Sequence, residues 1–311
     1  MTTLYIHHDR FIDHATPTGH PERADRLRAI NKVMADPHFD ALKRIEAPLA
    51  DLKSALLAHP QSHIDHVVAC APETGFFQID PDTVMSPATL EAAQRAIGGA
   101  VHAVDEVVAG SVDNAFVAAR PPGHHAERTR AMGFCFFNTA AIAALHAMAE
   151  HGAARVAVLD FDVHHGNGTQ DIFWDRPNCF YGSTHQMPLY PGTGAARERG
   201  KDDAGNIVNV PLAPGDGRAA FEAAWAGTII PALSAFSPEF VVISAGFDAH
   251  RRDPLGNLEL VEEDFAWITE ALLAAARESA KGRVVSVLEG GYDLQGLSQS
   301  VAAHVASLMA A

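Results

Sequence analysis

The amino-acid sequence predicts an α/β protein whose mostly parallel central sheet is flanked by helices. Short apolar runs alternate with longer helical stretches, and no repeat, low-complexity tract or linker interrupts the alternation. Several of the runs are apolar throughout, which is typical of strands covered on both faces. Strands that alternate with helices in this way form parallel sheets with helices on both sides. We therefore predict one domain that spans residues 1–311.

The predicted elements continue almost to the carboxyl terminus. The strands are expected at Leu4–His7, Ala115–Ala119, Val156–Phe161, Cys179–Ser183, Ile207–Leu212, Phe240–Ser244 and Val284–Leu288. The helices are expected at Pro87–Ala109, Asn138–Glu150, Arg218–Phe236 and Val261–Lys281.

Composition and charge exclude several classes of function. The formal net charge is −15, and an acidic protein repels phosphate backbones, so we expect no direct nucleic-acid partner. The cysteines, Cys70, Cys135 and Cys179, follow neither a metal nor a disulfide spacing, and so sparse and odd a number suits a reducing compartment. The amino terminus shows no signal-peptide pattern. A long apolar segment free of formal charge, Ala131–Ala149, suits a buried loop and helix better than a membrane span. We therefore expect a cytoplasmic protein that does not enter a membrane.

Polar segments rich in His, Asp and Tyr follow four of the predicted strands. AFVAA leads into RPPGHHAE, VAVLDF into DVHHGNG, FVVIS into AGFDAH and VVSVL into EGGYDL. Ligands of open α/β sheets bind beyond the carboxyl ends of the strands. Because these residue types are the ones that hydrolysis uses, we predict one active site at this edge of the sheet.

One of these segments contains half of a candidate metal site. Alternate residues of an extended chain share a face, so Asp160, Asp162 and His164 are expected to point the same way. Asp248, at the end of another strand, is the natural third ligand. A catalytic zinc typically keeps three nitrogen or oxygen ligands and one open position. Since the set contains no thiolate, Fe(II) is the alternative metal.

Two further segments offer groups for acid–base chemistry. His124 and His125 are adjacent, and histidine titrates in the range that suits both the activation of water and the protonation of a leaving amine. Asp160 and Asn167 are available to orient the two rings, although the neutral Asn167 raises the pKa of a histidine less than an aspartate would. Tyr292 follows paired glycines, and its hydroxyl is suited to donate to a developing oxyanion.

Taken together, RPPGHHA, DFDVHHGNGTQ, SAGFDAHRRDPLG and EGGYDL closely resemble the histone deacetylase superfamily, in particular its bacterial class II-like members. The resemblance begins at GHPERADRLRAI and runs nearly to the end of the chain. It implies the arginase/deacetylase fold and the zinc-dependent removal of an acetyl or similar acyl group from the amine of an acyl-lysine. Asn167 replaces the aspartate of the class I pattern, as is usual in class II.

The resemblance also implies roles for individual residues. Asp162, His164 and Asp248 would be the zinc ligands, and a structural potassium ion is implied as well. The potassium ligands would be the side chain of Asp160, Ser183, and backbone oxygens of Asp162, His164 and Thr184.

The same comparison implies which residues act on the substrate. His125 would be the general base and then the acid, with His124 as its electrostatic partner, and Tyr292 would polarise the scissile carbonyl. The residues implied around the acyl-lysine tunnel are Gly133, Phe134 and Tyr190 at its walls, Leu255 at its rim and Arg26 at its foot.

Three hypotheses about the function stay open at this point. The leading one is an acetylated lysine of a protein or peptide. The second is a small acetylated amine such as an acetylpolyamine. Leu255 argues against a polyamine substrate, because its position is glutamate in the eukaryotic polyamine deacetylase. Asp80, Asp82 or Glu73 could nevertheless supply the negative charge that a polyamine would need. The third, an idle acyl-lysine binding module, conflicts with the intact metal and tyrosine positions. The sequence leaves open whether the chain forms a homo-oligomer.

Two other features are interpreted as structural. His59, His63 and His66 have the spacing of a helix face and are expected on a surface helix rather than at a second metal site. Asp216 is expected to cap the helix that follows it.

Overall fold

An eight-stranded sheet lies at the centre of the computed structural model, which describes all 311 residues, and every neighbouring pair of its strands is parallel. The strands are β1 (Thr3–His7), β2 (Lys43–Glu46), β5 (Asn114–Val117), β6 (Val156–Asp160), β7 (Cys179–Gln186), β8 (Ile207–Leu212), β9 (Phe240–Ala245) and β10 (Val284–Leu288); β3 (Phe77–Asp80) and β4 (Thr83–Met85) form a separate antiparallel pair. Their order in the large sheet is β2-β1-β5-β10-β9-β6-β7-β8. The predicted fold class is confirmed.

All seven predicted strands are present, with ends that shift by at most a few residues. The sequence pattern does not predict β2, because this strand lies at the edge of the sheet and most of its charged KRIE segment is exposed. Edge strands need no apolar face on both sides, so hydrophobic runs do not mark them. The β3 and β4 strands have only four and three residues and are too short to produce a signal.

Helices cover the sheet. They are α1 (Arg10–Asp13), α2 (Asp25–Met34), α3 (Gln61–Ala69), α4 (Thr89–Val108), α5 (Thr139–Ala149), α6 (Asn167–Phe173), α7 (Arg218–Ala224), α8 (Ile230–Phe236), α9 (Glu262–Ser279) and α10 (Leu294–Ala310). α4 packs on β1, β5 and β10, α5 packs on β6 and β9, and α10 packs on α2 and α9. All four predicted helices are present. α10 lacks a clear apolar stripe because its buried positions include Ser300, His304 and Ser307.

The predicted helix Arg218–Phe236 is continuous but not uniform. A π-helical turn, Trp225–Ile229, joins α7 to α8. By length and composition alone this stretch could cross a membrane, and a core helix passes the same test. Trp225, Ile229 and Leu233 are fully buried, as expected of a helix that covers a sheet.

The sheet order explains how one site is built from distant parts of the sequence. The four strands that precede the polar segments, β5, β10, β9 and β6, are consecutive neighbours at the centre of the sheet. Their ends are level, since Asp160 pairs with Ser244, and Leu288 pairs with Ala245. The segments that follow therefore emerge side by side at the carboxyl edge, where ligands of such sheets bind.

The predicted surface location of the histidine group was wrong for two of its three members. Only His66 is exposed; His59 precedes α3, and both His59 and His63 are buried. Their rings stack with centroids 4.6 Å apart. His59 Nε2 accepts from the Asn138 N–H at 2.9 Å, and His63 Nε2 lies 2.9 Å from the Phe136 carbonyl oxygen. These histidines satisfy backbone groups of the loop before α5, which helical spacing alone does not indicate.

The predicted helix cap at Asp216 was also wrong. Asp216 Oδ2 accepts from the Ala213 N–H at 2.8 Å and closes the preceding turn. The residue before α7 is Gly217, and no side chain caps this helix.

Candidate active site

A cleft of about 220 Å³ opens at the carboxyl edge of the central strands. A larger groove, of about 420 Å³, lies beside His7 and Arg44 and contains none of the predicted site residues. Chemistry rather than size locates the site, because only the smaller cleft joins apolar walls to converging titratable groups. Its lining residues are Asp82, His125, Gly133, Phe134, His164, Leu189, Tyr190, Leu255 and Tyr292.

Three buried side chains bring potential metal ligands together beside this cleft. Asp162 and His164 follow β6, Asp248 follows β9, and their ligand atoms all lie within 4.8 Å of one another. His164 Nδ1 lies 3.1 Å from both Asp162 Oδ1 and Asp248 Oδ2. The structure thus assembles the predicted ligand set.

The two carboxylates of this set fit a bound cation. Burial, and then the charge of the neighbouring Asp162, raises the pKa of Asp248 to about 7, because two buried carboxylates repel each other. A divalent cation between them would remove that repulsion. Carboxylate oxygen and imidazole nitrogen are ligands of zinc and also of Fe(II), so the donor set fits either metal.

Two glycines allow the backbone to approach the carboxylates. Gly290 donates its N–H to Asp162 Oδ2 at 2.9 Å, and a Cβ at Gly290 would overlap with carboxylate oxygens of both Asp162 and Asp248. A Cβ at Gly246 would overlap with the Asp162 carboxylate as well. Asp248 Oδ1 accepts from the Val163 N–H at 2.8 Å. These contacts explain why glycine stands at both positions, and they hold the carboxylates in fixed orientations.

The adjacent histidines have opposite electrostatic surroundings. His124 Nδ1 lies 3.1 Å from Asp160 Oδ2, and His124 Nε2 lies 3.7 Å from Asp162 Oδ2. Burial by itself lowers the pKa of His124, but the charges of Asp162 and Asp160 outweigh burial and raise it well above its usual value. Burial, and then the charge of His124, lowers the pKa of His125 well below its usual value. His125 is therefore held as a neutral ring, the form that can accept a proton.

The ring of His125 forms part of the cleft wall. It meets Tyr190 edge to face with centroids 5.1 Å apart. Gly133 packs so closely on the other side that a Cβ would overlap with the imidazole, and its φ of +57° also favours glycine. His125 Nδ1 lies 2.7 Å from Oδ1 of Asn167, the first residue of α6. His125 Nε2 is thus the ring nitrogen free to act in the cleft.

Tyr292 is fixed in orientation by three neighbours. Its N–H donates to Asp253 Oδ2 at 2.6 Å, and its ring meets Phe134 edge to face with centroids 6.0 Å apart. The guanidinium carbon of Arg26 lies 5.0 Å from the centre of the Tyr292 ring. The ring lines the cleft together with His125, as the sequence predicts.

Arg26 lies beneath the turn that carries Tyr292. Arg26 is fully buried and does not line the cleft. It donates to the carbonyl oxygens of Gly291 and Glu289 at 2.6 and 2.5 Å. It therefore holds the turn that carries Tyr292 from behind, and its place at the foot of an acyl-lysine tunnel stays a prediction.

Arg26 belongs to a buried charged cluster centred on Glu22. Glu22 accepts from Arg26 Nη1 at 3.1 Å and from Arg120 Nη2 at 2.7 Å, and His14 Nε2 lies 3.3 Å away. Burial alone raises the pKa of Glu22, but Arg120 and then His14 lower it well below its usual value. The cluster thus ties the GHPER segment to the segments that precede His124 and follow Glu289.

Replacing Glu22 by glutamine should lower the free energy of unfolding by about 3–5 kcal/mol, because two buried guanidinium groups would lose their counter-charge. Since the folded-state pKa is depressed, this stabilisation is complete above the pKa of the unfolded chain and is lost as the pH falls through the folded-state value. Urea unfolding measures the change. The matched control is Glu91→Gln, which removes the charge of a more exposed carboxylate paired with Arg95 and Arg10 and should cost less than about 1 kcal/mol. Equal losses in the two variants would contradict the prediction.

The residues predicted to bind potassium lie next to each other behind the metal ligands. Asp160 and Ser183 pair in register on β6 and β7, and both are fully buried. Ser183 Oγ lies 2.9 Å from His185 Nδ1, and Thr184 Oγ1 accepts from Trp225 Nε1 at 3.0 Å. The side-chain oxygens of Ser183 and Thr184 thus have protein partners, and the register places Ser183 beside Asp160.

The sequence patterns assign no role to Glu289 and offer Asp82 only as a source of charge. Glu289 Oε2 accepts from the N–H groups of Gly123 and His124 at 2.6 and 3.1 Å, and so fixes the turn that carries both histidines. Asp82 lines the cleft and accepts from the Gly133 N–H at 3.0 Å. Glu289 stands within the EGGY motif, so its position beside the tyrosine was a usable signal. Asp82 lies in a loop that follows no predicted strand, and the sequence offers it only as one of three acidic residues that could supply charge at the rim.

One other group of metal-binding side chains occurs, away from the cleft. His146 Nε2 and His151 Nε2 each lie 2.7 Å from Asp105 Oδ1. Hydrogen bonds from the two rings to one carboxylate account for this arrangement without an ion.

Comparison with known proteins identifies the family. Residues 20–308 match the family model described as the histone deacetylase domain. The chain belongs to the histone deacetylase family. It is 39% identical over 277 residues to the histone deacetylase-like amidohydrolase of Pseudomonas aeruginosa, covering 88% of this chain and 73% of that protein. It is 36% identical over 300 residues to a protein of Archaeoglobus fulgidus named probable deacetylase, covering 95% and 83% of the two chains.

A solved structure supports the same conclusion. The crystal structure of the HDA15 HD domain superposes on 99% of this chain and 88% of its own, with a TM-score of 0.94 and 36% sequence identity. The chain is accordingly a hydrolytic enzyme of the histone deacetylase family, and its fold is the one that the sequence motifs imply.

Proposed function

We propose that this histone deacetylase family member is a zinc-dependent enzyme that hydrolyses the acetyl or acyl amide of an N-ε-acyl-lysine in proteins or peptides, releasing acetate and the free amine. The observation that carries the proposal is the convergence of the predicted metal ligands, His125 and Tyr292 on one narrow cleft with apolar walls. Hydrolysis of an amide needs all three functions at the same carbonyl: activation of water, stabilisation of the oxyanion and protonation of the amine.

Asp162, His164 and Asp248 would hold the metal. Bound zinc would polarise the acyl carbonyl and lower the pKa of the attacking water. Gly290 and Val163 orient the two carboxylates through their N–H groups, so the ligands are preorganised.

His125 would take the proton from the attacking water and later give it to the leaving amine. Its pKa, lowered by burial and by His124, keeps the ring unprotonated before reaction. The cationic His124 stays paired with Asp160 and stabilises negative charge that develops nearby. Tyr292 would donate its hydroxyl to the carbonyl oxygen as that oxygen gains charge.

The walls of the cleft suit a narrow alkyl chain. Phe134 and Tyr190 offer aromatic faces, and Gly133 leaves room between them and His125. A lysine side chain would bury its methylenes there and bring its acyl group to His125 and Tyr292. Leu255 lies at the wall of the same cleft, where the rest of the substrate would emerge.

We also propose a structural potassium ion close to Asp160 and Ser183, supported by their register and complete burial. Three buried cysteines without disulfides support action in a reducing compartment such as the cytoplasm.

One observation favours a second candidate, an acetylpolyamine amidohydrolase. The carboxylate of Asp82 lines the cleft and is suited to attract a second ammonium group of the substrate. Against this, Asp82 Oδ1 already accepts from Gly133 N–H and from Thr83 Oγ1, at 3.0 and 2.8 Å. The acyl-lysine substrate is therefore ranked first.

The ranking is tested by kcat/KM for a panel of acylated lysine peptides and acetylpolyamines. The proposal expects a higher kcat/KM for at least one acetyl-lysine peptide than for N8-acetylspermidine. A higher kcat/KM for the polyamine would reverse the ranking of the two candidate functions. Absence of turnover on every substrate by folded, zinc-loaded protein would favour the idle binding module.

Leu255→Glu should shift selectivity from peptides towards polyamines. The tunnel discriminates poorly between the two substrates, since both fill it with similar methylene groups. The substrates differ at the rim, where Leu255 can pack against a peptide but provides no hydrogen-bond acceptor for an ammonium group. A partly desolvated carboxylate would gain about 1–3 kcal/mol from a charge-assisted hydrogen bond, or roughly one to two orders of magnitude in the selectivity ratio.

The ratio is measured as kcat/KM for one acetylated peptide and for N8-acetylspermidine, at low and moderate salt. Leu255→Gln is the matched control, because it changes size and polarity without adding charge. An unchanged ratio in folded, zinc-loaded Leu255→Glu would remove this residue as a selectivity element.

A further inference from the structure

A carboxylate outside the cleft completes a hydrogen-bonded chain behind His125. His125 Nδ1 lies 2.7 Å from Asn167 Oδ1, and Asn167 Nδ2 donates to Glu127 Oε1 at 2.8 Å. Asn167 is buried. Glu127 does not line the cleft; it faces a separate hollow of about 330 Å³ on the other side of Asn167. It therefore reaches the site only through the amide.

The carboxylate of Glu127 decides which way the amide points. An ionised carboxylate only accepts hydrogen bonds, so the group of Asn167 that faces it must be the NH₂. The amide oxygen then faces His125, and it can only accept, so Nδ1 of the ring must bear the hydrogen. In the neutral ring the other nitrogen, Nε2, is then unprotonated and able to take a proton.

Nothing else near the amide enforces this orientation as strongly. The other neighbour of Asn167 Nδ2 is the Met132 sulfur at 3.4 Å, which is a weak acceptor. An amide is nearly symmetric in shape, so a flipped Asn167 would fit the same space. The flipped NH₂ would face Nδ1 and favour the tautomer with hydrogen on Nε2, which cannot act as a base.

Glu127 is itself anchored. Its backbone N–H donates to the Arg130 carbonyl oxygen at 2.9 Å, and the next residue, Arg128, donates its N–H to Asp171 Oδ2 at 2.8 Å. Asp171 belongs to α6, the helix that begins at Asn167. The donor and the acceptor of the Asn167–Glu127 hydrogen bond are thus held by the same pair of segments.

We propose that Glu127 is a positioning residue that fixes the amide of Asn167 and, through it, the tautomer of His125. The inference rests on the proposed role of His125 as general base. It explains how a neutral asparagine can orient the His125 ring. An aspartate at position 167 would place its carboxylate directly on the ring, whereas here the carboxylate of Glu127 lies one hydrogen bond further away.

Exchanging the carboxylate and the amide between positions 127 and 167 tests the inference. Glu127→Gln should lower kcat about 10-fold or more with little change in KM, because a glutamine can present either its oxygen or its NH₂ to Asn167. Asn167→Asp should also lower kcat, because it sets two carboxylates 2.8 Å apart. The double variant Glu127→Gln/Asn167→Asp should recover to within about 5-fold of wild type: the glutamine donates to the new aspartate, which accepts from His125.

Zinc content and thermal unfolding must match wild type in each variant, and Glu278→Gln, an exposed glutamate on α9, is the matched charge control. Unchanged kcat in Glu127→Gln would overturn the inference. A double variant no faster than the slower single variant would overturn it as well, because a merely structural role predicts additive losses.

Nitrogen-15 NMR of labelled histidine gives a readout that does not need turnover. The His125 signals are assigned by their loss in His125→Asn. The inference expects hydrogen on Nδ1 in wild type and a mixture of tautomers in Glu127→Gln, both zinc-loaded. Hydrogen on Nε2 in wild type, or the same tautomer in both proteins, would refute it. If wild type has no deacetylase activity, the proposed function fails while the tautomer measurement still decides the role of Glu127.

Discussion

Asp248→Ala should lose both the bound metal and all measurable deacetylation. Asp248 is one of the three residues proposed to hold the metal, and His164 Nδ1 lies 3.1 Å from its Oδ2. Two remaining ligands bind zinc far more weakly than three. Because Asp162 and Asp248 repel each other when no cation lies between them, the metal-free variant should fold at least as readily as metal-free wild type.

Metal content by mass spectrometry, together with turnover, measures this effect. Asp248→Asn is the companion variant, since its amide oxygen can still accept from the Val163 N–H and preserve the local backbone. Asp216→Asn, in a turn outside the cleft, should keep both metal and rate. A folded Asp248→Ala protein with one equivalent of metal and the wild-type rate would show that the proposed ligand set is wrong.

Tyr292→Phe should keep the fold and the metal and lose roughly 10²–10³ in kcat, the usual cost of removing one oxyanion donor. The contacts that position the residue survive the substitution. Asp253 accepts from its backbone N–H, Phe134 meets the ring edge to face, and Arg26 lies against the ring. Only the hydroxyl disappears, so the loss is expected in the transition state and not in substrate binding.

Steady-state kinetics separate these possibilities. Tyr190→Phe is the matched control, because Tyr190 also lines the cleft but is assigned only to its wall; its effect should fall mainly on KM. A Tyr292→Phe enzyme with unchanged kcat and a raised KM would mean that the hydroxyl binds substrate without assisting the reaction.

The parts of the site that the sequence predicts are those that follow buried parallel strands. β5, β6, β9 and β10 are apolar runs, so the polar residues after them mark the carboxyl edge of the sheet. The hydrophobic pattern does not reveal the order of the strands in the sheet, and this order is what makes the four segments neighbours. The predicted fold and the juxtaposition of Asp162, His164 and Asp248 therefore agree with the structure.

What the sequence does not predict depends on packing between segments far apart in the chain. Arg26 is separated from the Tyr292 turn by most of the sequence, and only the fold shows that it supports the turn from behind. Glu127 stands two residues after His125, yet its contact is with Asn167 on α6. His59 and His63 have a surface-like spacing and are buried because backbone groups of another loop satisfy them.

Reconstitution of metal-free protein tests the central claim most directly. The protein is stripped with a chelator, and the release of acetate from an acetyl-lysine peptide is then measured as zinc is added. The proposed mechanism predicts no turnover without metal and full activity at about one equivalent of zinc per chain, since one set of three ligands serves the cleft. Full activity of the metal-free protein, or no acetate released by folded, zinc-loaded protein, would contradict it.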